Sequence, residues 1–244
     1  MKKILILILM TVVIINGQIP SAEMILEKVD ENMVSENQVV TSKMIIHGRR
    51  VSRTIRSKSW SVGDSKNFTK YLSPAREKGT KMLKIDDNLW IYTPSTDRII
   101  KISGHMLKQS VMGSDLSYED MMESQELTES YDATVTGSAD IDGINCWVID
   151  LIGKVDDLAY HKRKIWVDKN KYIPLREELY AKTGKLLKRM ELKNIVNMNG
   201  RWYPKKMLFK DVLKRGKGTE FVIEDIKFDQ DIPEYIFSKA GLRR

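Results

Sequence analysis

The sequence has 244 residues, a mass of 28.2 kDa and a formal net charge of +8 at neutral pH. Its charged residues, 30% of the chain, alternate with apolar ones instead of forming blocks, which excludes a disordered chain. With 42% hydrophobic residues and no linker rich in Pro, Gly and Ser, we expect one large domain with a sizeable core. The single cysteine, Cys146, excludes an internal disulfide.

The first 22 residues are typical of a signal peptide. Two lysines precede an unbroken apolar run over residues 4–15, and small residues follow it. The run is shorter than the about 20 residues that a membrane-spanning helix needs. We therefore predict cleavage after Gly17 or after Ala22, export to the periplasm, and a single domain over residues 23–244. An uncleaved N-terminal membrane anchor is the alternative.

Residues 21–36 predict the first helix. Apolar side chains recur there at spacings of three and four, at Ile25, Leu26, Val29 and Met33. Ser21 is placed to cap the helix at its N-terminus. The single apolar stripe fits either ordinary packing on the core or a lid over a cavity, and the pattern does not separate the two.

From Val39 onward the apolar pattern changes to period two, which predicts strands. The first half predicts strands over 41–46, 51–60, 66–72, 81–85, 89–93 and 98–102. The second half predicts strands over 131–138, 145–152, 162–167, 174–180, 186–196, 205–212 and 219–228. Short strands joined by hairpin turns indicate one antiparallel meander, and a sheet this long must curl or close. Residues 231–238 are expected to pack back on it.

Residues 104–123 interrupt the strands. Ser117 and Asp120 are spaced as at a helix start, and they predict a short helix through Glu123. Four methionines occur in this stretch: Met106, Met112, Met121 and Met122. Methionine adapts to varied apolar partners, so the stretch either contacts an apolar ligand or simply plugs the core.

No catalytic constellation is found in the sequence. His47, His105 and His161 have no metal-ligand spacing, and neither a GxSxG motif nor a phosphate-binding glycine loop occurs. We therefore predict no metal, no cofactor and no enzymatic activity. The basic residues follow the strand period instead of clustering, so nucleic acid is not expected as a partner; a basic exported protein meets anionic lipid more readily.

Several motifs carry a family resemblance. The longest is MGSDLSYED at residues 112–120; shorter matches are KGT at 78–80, WIYTP at 90–94, WVD at 166–168, YIPLR at 172–176 and GRWYP at 200–204. On these motifs the sequence resembles the LolA-like family of outer-membrane lipoprotein-sorting proteins. Val111 and Leu116 depart from the pattern, because the family usually has phenylalanine there.

This resemblance implies a mainly β (α+β) fold: a strongly curved antiparallel half-barrel with short helices over its concave apolar face. It also implies a periplasmic carrier that takes acyl chains of lipoproteins, or other lipids, to the outer membrane or to an envelope protein. On this basis we expect Asp115, Tyr118 and Asp120 to hold the loop over the sheet. The expected cavity lining is Leu83, Trp90, Tyr92, Met106, Met112 and Trp147. The alternative for each of them is a place in the filled core, and for Trp147 this alternative is preferred.

Two other functions stay open on the sequence. One is a sensing or binding module of the same shape, which acts through a protein partner. The other is an envelope enzyme that acts on lipid or glycan, with Asp115 as a candidate acid.

Overall fold

A computed structural model of the protein describes residues 20–48, 50–123, 126–156, 158–198 and 200–244. The predicted signal peptide lies outside these ranges except for its last three residues. Among the described residues, no helix is long and apolar enough to cross a bilayer.

The first helix, α1, spans Ala22–Met33. Ser21 caps it, since its hydroxyl oxygen accepts a hydrogen bond from the Met24 backbone N–H. The helix ends earlier than residue 36, because Val34 already has an extended backbone after donating the last helical hydrogen bond to Asp30. The buried apolar stripe consists of Ile25, Leu26 and Val29, as the spacing predicts.

Thirteen strands make up the sheet in the described part of the chain. They are β1 Asn37–His47, β2 Ser52–Val62, β3 Lys66–Ser73, β4 Lys81–Ile85, β5 Asn88–Thr93, β6 Arg98–Ile102, β7 Tyr131–Ile141, β8 Ile144–Gly153, β9 Lys162–Asp168, β10 Pro174–Tyr180, β11 Leu186–Met198, β12 Arg201–Asp211 and β13 Thr219–Phe228. Most bounds agree with the prediction within a few residues. β12 begins before Pro204, which is tolerated because β13 pairs with β12 only over residues 206–209.

The sheet consists of two meanders rather than the one that the sequence predicts. Its order is β6-β5-β4-β3-β2-β1-β13-β12-β11-β10-β9-β8-β7. The first strand thus pairs antiparallel with the last, as in the pairs Val40–Ile226 and Met44–Phe221. β6 and β7 lie at the two edges, so the segment that joins them in sequence must cross the whole sheet. The result is an open antiparallel half-barrel, as the family resemblance implies.

The two faces of the half-barrel have different covers. On the concave face, α1 packs on Ile149, Leu151 and Ile165 of the second meander. The β6–β7 connection packs on Met82 and Leu89 of the first meander, on the same face. Short helices and a loop therefore cover the concave face.

The chain end covers the convex face. After β13, a 3-10 turn at Glu234–Ile236 leads to α3, Lys239–Arg243. Phe237 and Leu242 are buried there against Phe68 and Leu83. The Lys81 ammonium donates a hydrogen bond to the Leu242 carbonyl oxygen at 2.9 Å, and burial lowers its pKa. The terminal segment therefore packs back on the sheet, as the sequence predicts, and it does so on the outside of the half-barrel.

Candidate functional site

The cover loop, residues 104–123, crosses the concave face. It contains 3-10 turns at Gly104–Lys108 and Val111–Gly113. The helix predicted from Ser117 is wrong, because residues 118–122 form turns and residue 123 a bend. The bonds expected of a helix start are nevertheless present: the Asp120 carboxylate accepts from the Ser117 N–H, and the Ser117 hydroxyl accepts from the Asp120 N–H. Short, mostly i to i+3 bonds follow, such as Met122 N–H to Glu119 carbonyl oxygen. A short α2, Leu127–Ser130, then leads into β7.

Asp115 fastens the middle of the cover loop to the last two strands. Its carboxylate accepts from the Asp211 backbone N–H at 3.0 Å and from the Thr219 hydroxyl at 2.8 Å. Its own backbone N–H donates to the Thr219 hydroxyl oxygen at 2.9 Å. Asp115 and Thr219 are both buried, so these bonds form in an environment that strengthens them.

Asp120 makes the second attachment. Its carboxylate accepts from the Tyr160 hydroxyl and forms an ion pair with Lys188 of β11. Burial, together with the Asp120 carboxylate, raises the pKa of Tyr160, so this phenol stays a hydrogen-bond donor.

Arg163 of β9 makes the third attachment and is the centre of a buried ionic cluster. Its guanidinium contacts Glu123 of the cover loop at 2.5 Å and Glu177 of β10 at 3.7 Å, and it donates to the Tyr131 hydroxyl at 2.9 Å. Its planar group also lies 4.9 Å from the centre of the Tyr131 ring. Burial raises the pKa of Glu177, while Arg163 acts in the opposite direction.

The underside of the cover loop is apolar and rich in methionine. Its half-buried side chains pack on Met82, Leu89 and Ile102 of the sheet; they are Met106, Leu107, Tyr118, Met121 and Met122. Polar groups thus attach the loop at defined points, and flexible apolar groups fill the space between them. These apolar contacts are non-directional, so other apolar groups could take their place.

A cavity of about 470 Å³ lies between the cover loop and β3–β5. Its lining comprises the aliphatic side chains of Met82, Ile91, Val111 and Met112, the tyrosines Tyr71 and Tyr118, and the polar residues Arg76, Glu77, Thr80, Thr93, Ser95 and Ser110. The polar residues come largely from the β3–β4 and β5–β6 turns. The cavity therefore combines an apolar floor on the sheet with a polar mouth at the turns.

Met112 is the predicted residue with the most unusual geometry. Its φ is +51°, in the left-handed region that bulky side chains rarely adopt. Arg53 of β2 donates a hydrogen bond to its carbonyl oxygen, and the side chain packs on a cluster that contains Met44, Ile55 and Tyr71. Backbone strain of this kind is kept only where the surroundings enforce it, and it is concentrated at ligand sites.

The six side chains expected to line one cavity are not brought together. Met112 lines the cavity, and Met106 lies under the same loop. Trp147 is buried beneath α1 in the second meander. Leu83, Trp90 and Tyr92 alternate with Met82 and Ile91, so they face the convex side, where the terminal segment covers them.

The attachment residues outside the cover loop were not predicted. Arg163 falls in the same buried phase of the period-two pattern of β9 as Ile165 and Val167. Glu177 falls in the same buried phase of β10 as Leu175 and Leu179. The sequence did contain a signal for them: a charged side chain at a position where the period-two pattern calls for a buried apolar one. Such a buried charge requires a partner, which indicates an ion pair. Among the described residues, no cluster of three or more His, Cys, Asp or Glu could hold a metal ion.

Solved structures with the same architecture are known. A domain named for outer membrane lipoprotein sorting, from Vibrio parahaemolyticus, is 28% identical, with a TM-score of 0.79 over 91% of this chain and 98% of that one. A LolA superfamily protein from Nitrosomonas europaea is 26% identical, with a TM-score of 0.76 over 91% and 100%. A DUF1329 family protein from Desulfovibrio piger, 23% identical with a TM-score of 0.80 over 91% and 97%, shares the fold. No curated protein matches the sequence significantly.

The half-barrel and its covered concave face give this chain the LolA-like fold of these structures, as the sequence motifs predict. The chain belongs to the family whose model matches residues 63–244 and which is described as "Uncharacterized protein".

Proposed function

We propose that the protein is a periplasmic carrier that binds acyl chains of lipoproteins, or other lipids, and delivers them to the outer membrane or to an envelope partner. The exported form would be the single domain over residues 23–244. The observation that carries this proposal is the cavity of about 470 Å³ beneath the methionine-rich cover loop. The similarity to structures named for lipoprotein sorting supports the same class of function.

The cavity is suited in size and polarity to an amphipathic ligand. Its volume falls within the range of about 300–1,000 Å³ that is common for ligand pockets. An acyl chain on the floor formed by Met82 and Ile91 would gain about 0.8 kcal/mol for each CH₂ removed from water. The polar mouth, with Arg76 and Ser95, would leave a headgroup in contact with water.

Longer cargo needs more space than the cavity offers, and the cover loop is the part that can supply it. Met106, Met121 and Met122 occupy the sheet surface beside the cavity and would be displaced by acyl chains of similar polarity. The attachments at Asp115, Asp120 and Glu123 would either hold the loop or release it. Binding and release require no covalent step, so no catalytic group is needed.

The first test is native mass spectrometry of the protein purified from a bacterial envelope. Lipid or lipopeptide that is released only on denaturation supports a carrier and identifies its cargo class. A clean apo mass, together with no uptake of a fluorescent acyl lipid, contradicts the proposal. Bound lipid that is never transferred to acceptor vesicles or to an outer-membrane fraction would instead indicate a sensing module.

A paired substitution tests the location of the site. Met112→Asp introduces a charge into the apolar lining of the cavity on the cover-loop side, and Asp tolerates the left-handed backbone there better than Met does. We expect uptake of the acyl lipid to fall at least about tenfold, since burying an unpaired charge is strongly unfavourable, with the thermal transition kept. The matched control is Met24→Asp on the exposed side of α1, where Met24 is 51% exposed. Equal uptake by both variants would place the ligand elsewhere.

A further inference from the structure

The hairpin turns at one end of the half-barrel form a basic rim. This rim consists of the turns β1–β2, β3–β4, β5–β6, β8–β9, β10–β11 and β12–β13, which antiparallel alternation places at the same end of the sheet. Their described residues include nine Lys or Arg and three Asp or Glu. At the opposite end, the five remaining hairpin turns include two Lys and four Asp among their described residues. The charge of the described turn residues therefore differs strongly between the two ends of the sheet.

The basic rim also exposes apolar side chains at the tips of its turns. Val51 is 78% exposed, Leu213 60% and Val155 52%. Each stands next to a basic residue in sequence: Arg50, Lys214 and Lys154. Exposed apolar side chains at the tips of turns, with cationic residues beside them, are typical of protein surfaces that insert into a lipid headgroup layer.

Two of these tips lie side by side. The His47 backbone N–H donates to the Gly218 carbonyl oxygen at 3.1 Å, which joins the end of β1 to the β12–β13 turn. Gly216 approaches the same region so closely that a Cβ there would lie 3.1 Å from the His47 carbonyl oxygen. The Val51 and Leu213 turns thus form one surface with Arg50, Arg215 and Lys217, which are all exposed.

The basic rim is also continuous with the cavity mouth. The β3–β4 turn supplies Arg76 to the cavity lining, and the β5–β6 turn supplies Ser95. In the β12–β13 turn, the Lys214 ammonium donates to the Ser114 carbonyl oxygen of the cover loop at 2.7 Å. A surface on which the rim rests would therefore adjoin both the cavity and the loop that covers it.

We propose that the basic rim is a docking surface for a membrane that exposes anionic phospholipid headgroups. Lys and Arg side chains pair with the phosphates, and the apolar tips at Val51 and Leu213 enter the interface. Docking would bring the cavity mouth to the bilayer from which acyl chains are taken or to which they are given. This inference deepens the carrier proposal by naming the surface that the carrier meets, and vesicle binding is measured independently of cargo uptake.

The test is flotation of the purified full-length exported protein with vesicles. Vesicles of phosphatidylethanolamine with one third phosphatidylglycerol are compared with vesicles of phosphatidylcholine alone, at low and high salt. Arg215→Ala/Lys217→Ala should weaken binding to the anionic vesicles about 30-fold. The matched control is Lys101→Ala/Lys227→Ala, which removes the same charge from exposed positions on β6 and β13 outside the rim. Val51→Ser/Leu213→Ser tests the apolar tips and should weaken binding about tenfold.

We expect binding to anionic vesicles only, reduced at high salt, weakened in both rim variants and kept in the control. Three results would overturn the proposal: equal binding by rim and control variants, binding that does not depend on anionic lipid, or no vesicle binding at all. Retention of an envelope protein that is lost in the rim variants, without vesicle binding, would assign the rim to a protein partner instead. Vesicle binding without acyl-lipid uptake would support the docking surface and would contradict only the carrier proposal.

Discussion

Arg163→Met provides the sharpest test of how the cover loop is held. Methionine keeps an apolar contact with the Tyr131 ring but removes the guanidinium from Glu123, Glu177 and Tyr131. Glu123 keeps a hydrogen bond from the Ala159 N–H at 3.0 Å, and the Tyr131 hydroxyl still donates to the Tyr160 carbonyl oxygen at 2.8 Å. Of the three partners of Arg163, Glu177 is therefore the one left without a compensating interaction.

Glu177 is 4% exposed, and its Oε2 has no hydrogen bond among the described residues. Leaving one partner of a buried ion pair alone costs about 3–5 kcal/mol. For a chain of this size that corresponds to a loss of about 6–20 °C in the thermal transition. Differential scanning calorimetry or circular dichroism would measure this change.

The sign of the pH dependence follows from Glu177. Its folded-state pKa is raised by burial, so its protonated form favours folding at low pH, and this contribution is lost as the pH rises through the folded pKa. Removing Arg163 takes away the opposing charge and raises that pKa further. The destabilisation by Arg163→Met should therefore be smaller at pH 5 than at pH 8.

Two variants complete this experiment. Arg163→Met/Glu177→Gln should regain much of the lost stability, because no charge then stays buried alone. Lys182→Met removes an exposed pair with Asp156 and should leave the thermal transition nearly unchanged, because water screens such a pair. A transition of Arg163→Met within 2 °C of the wild type, or an equal loss at pH 5 and pH 8, would refute the account of the buried cluster.

Two further predictions concern single groups. Cys146 is fully buried, and burial raises the pKa of its thiol to about 11. The thiol should therefore not react with a thiol reagent at pH 8 until guanidinium unfolds the chain. Rapid labelling of the native protein would contradict this prediction. Asp115→Ala removes the acceptor of the Asp211 and Thr219 bonds, so amide hydrogen exchange should accelerate across residues 110–123 and stability should fall by about 1–3 kcal/mol. Exposed Asp225→Ala is its control, and exchange in the loop that matches this control would exclude Asp115 as an attachment.

Strand positions could be predicted because each strand carries its own period-two signal. β4, β6, β10 and β13 have the bounds that the alternation predicts. The pairing of β1 with β13 has no local signal, since nothing in either strand specifies which distant edge it meets. The sequence therefore suggested a single meander.

The candidate site could be predicted only in part, for a similar reason. Met82 and Leu83 are neighbours in β4 and are equally apolar, but their side chains lie on opposite faces of the sheet. Both are buried, because the cover loop packs on one and the terminal segment on the other. Alternation shows that two faces exist, but which face holds a cavity depends on packing by segments distant in sequence.

The pairing of β1 with β13 also determines when the fold can be completed during synthesis. β1 is made first, but its partner on that side is the last strand of the sheet. Until β13 is available, β1 and β12 present unpaired backbone donors and acceptors, which are templates for pairing with other chains. A contact between the two ends of a long chain also forms slowly. The nascent chain must therefore be kept apart from other copies until its last strand is available. A chain truncated before β13 would have two open sheet edges in addition to β6 and β7, and we expect it to aggregate.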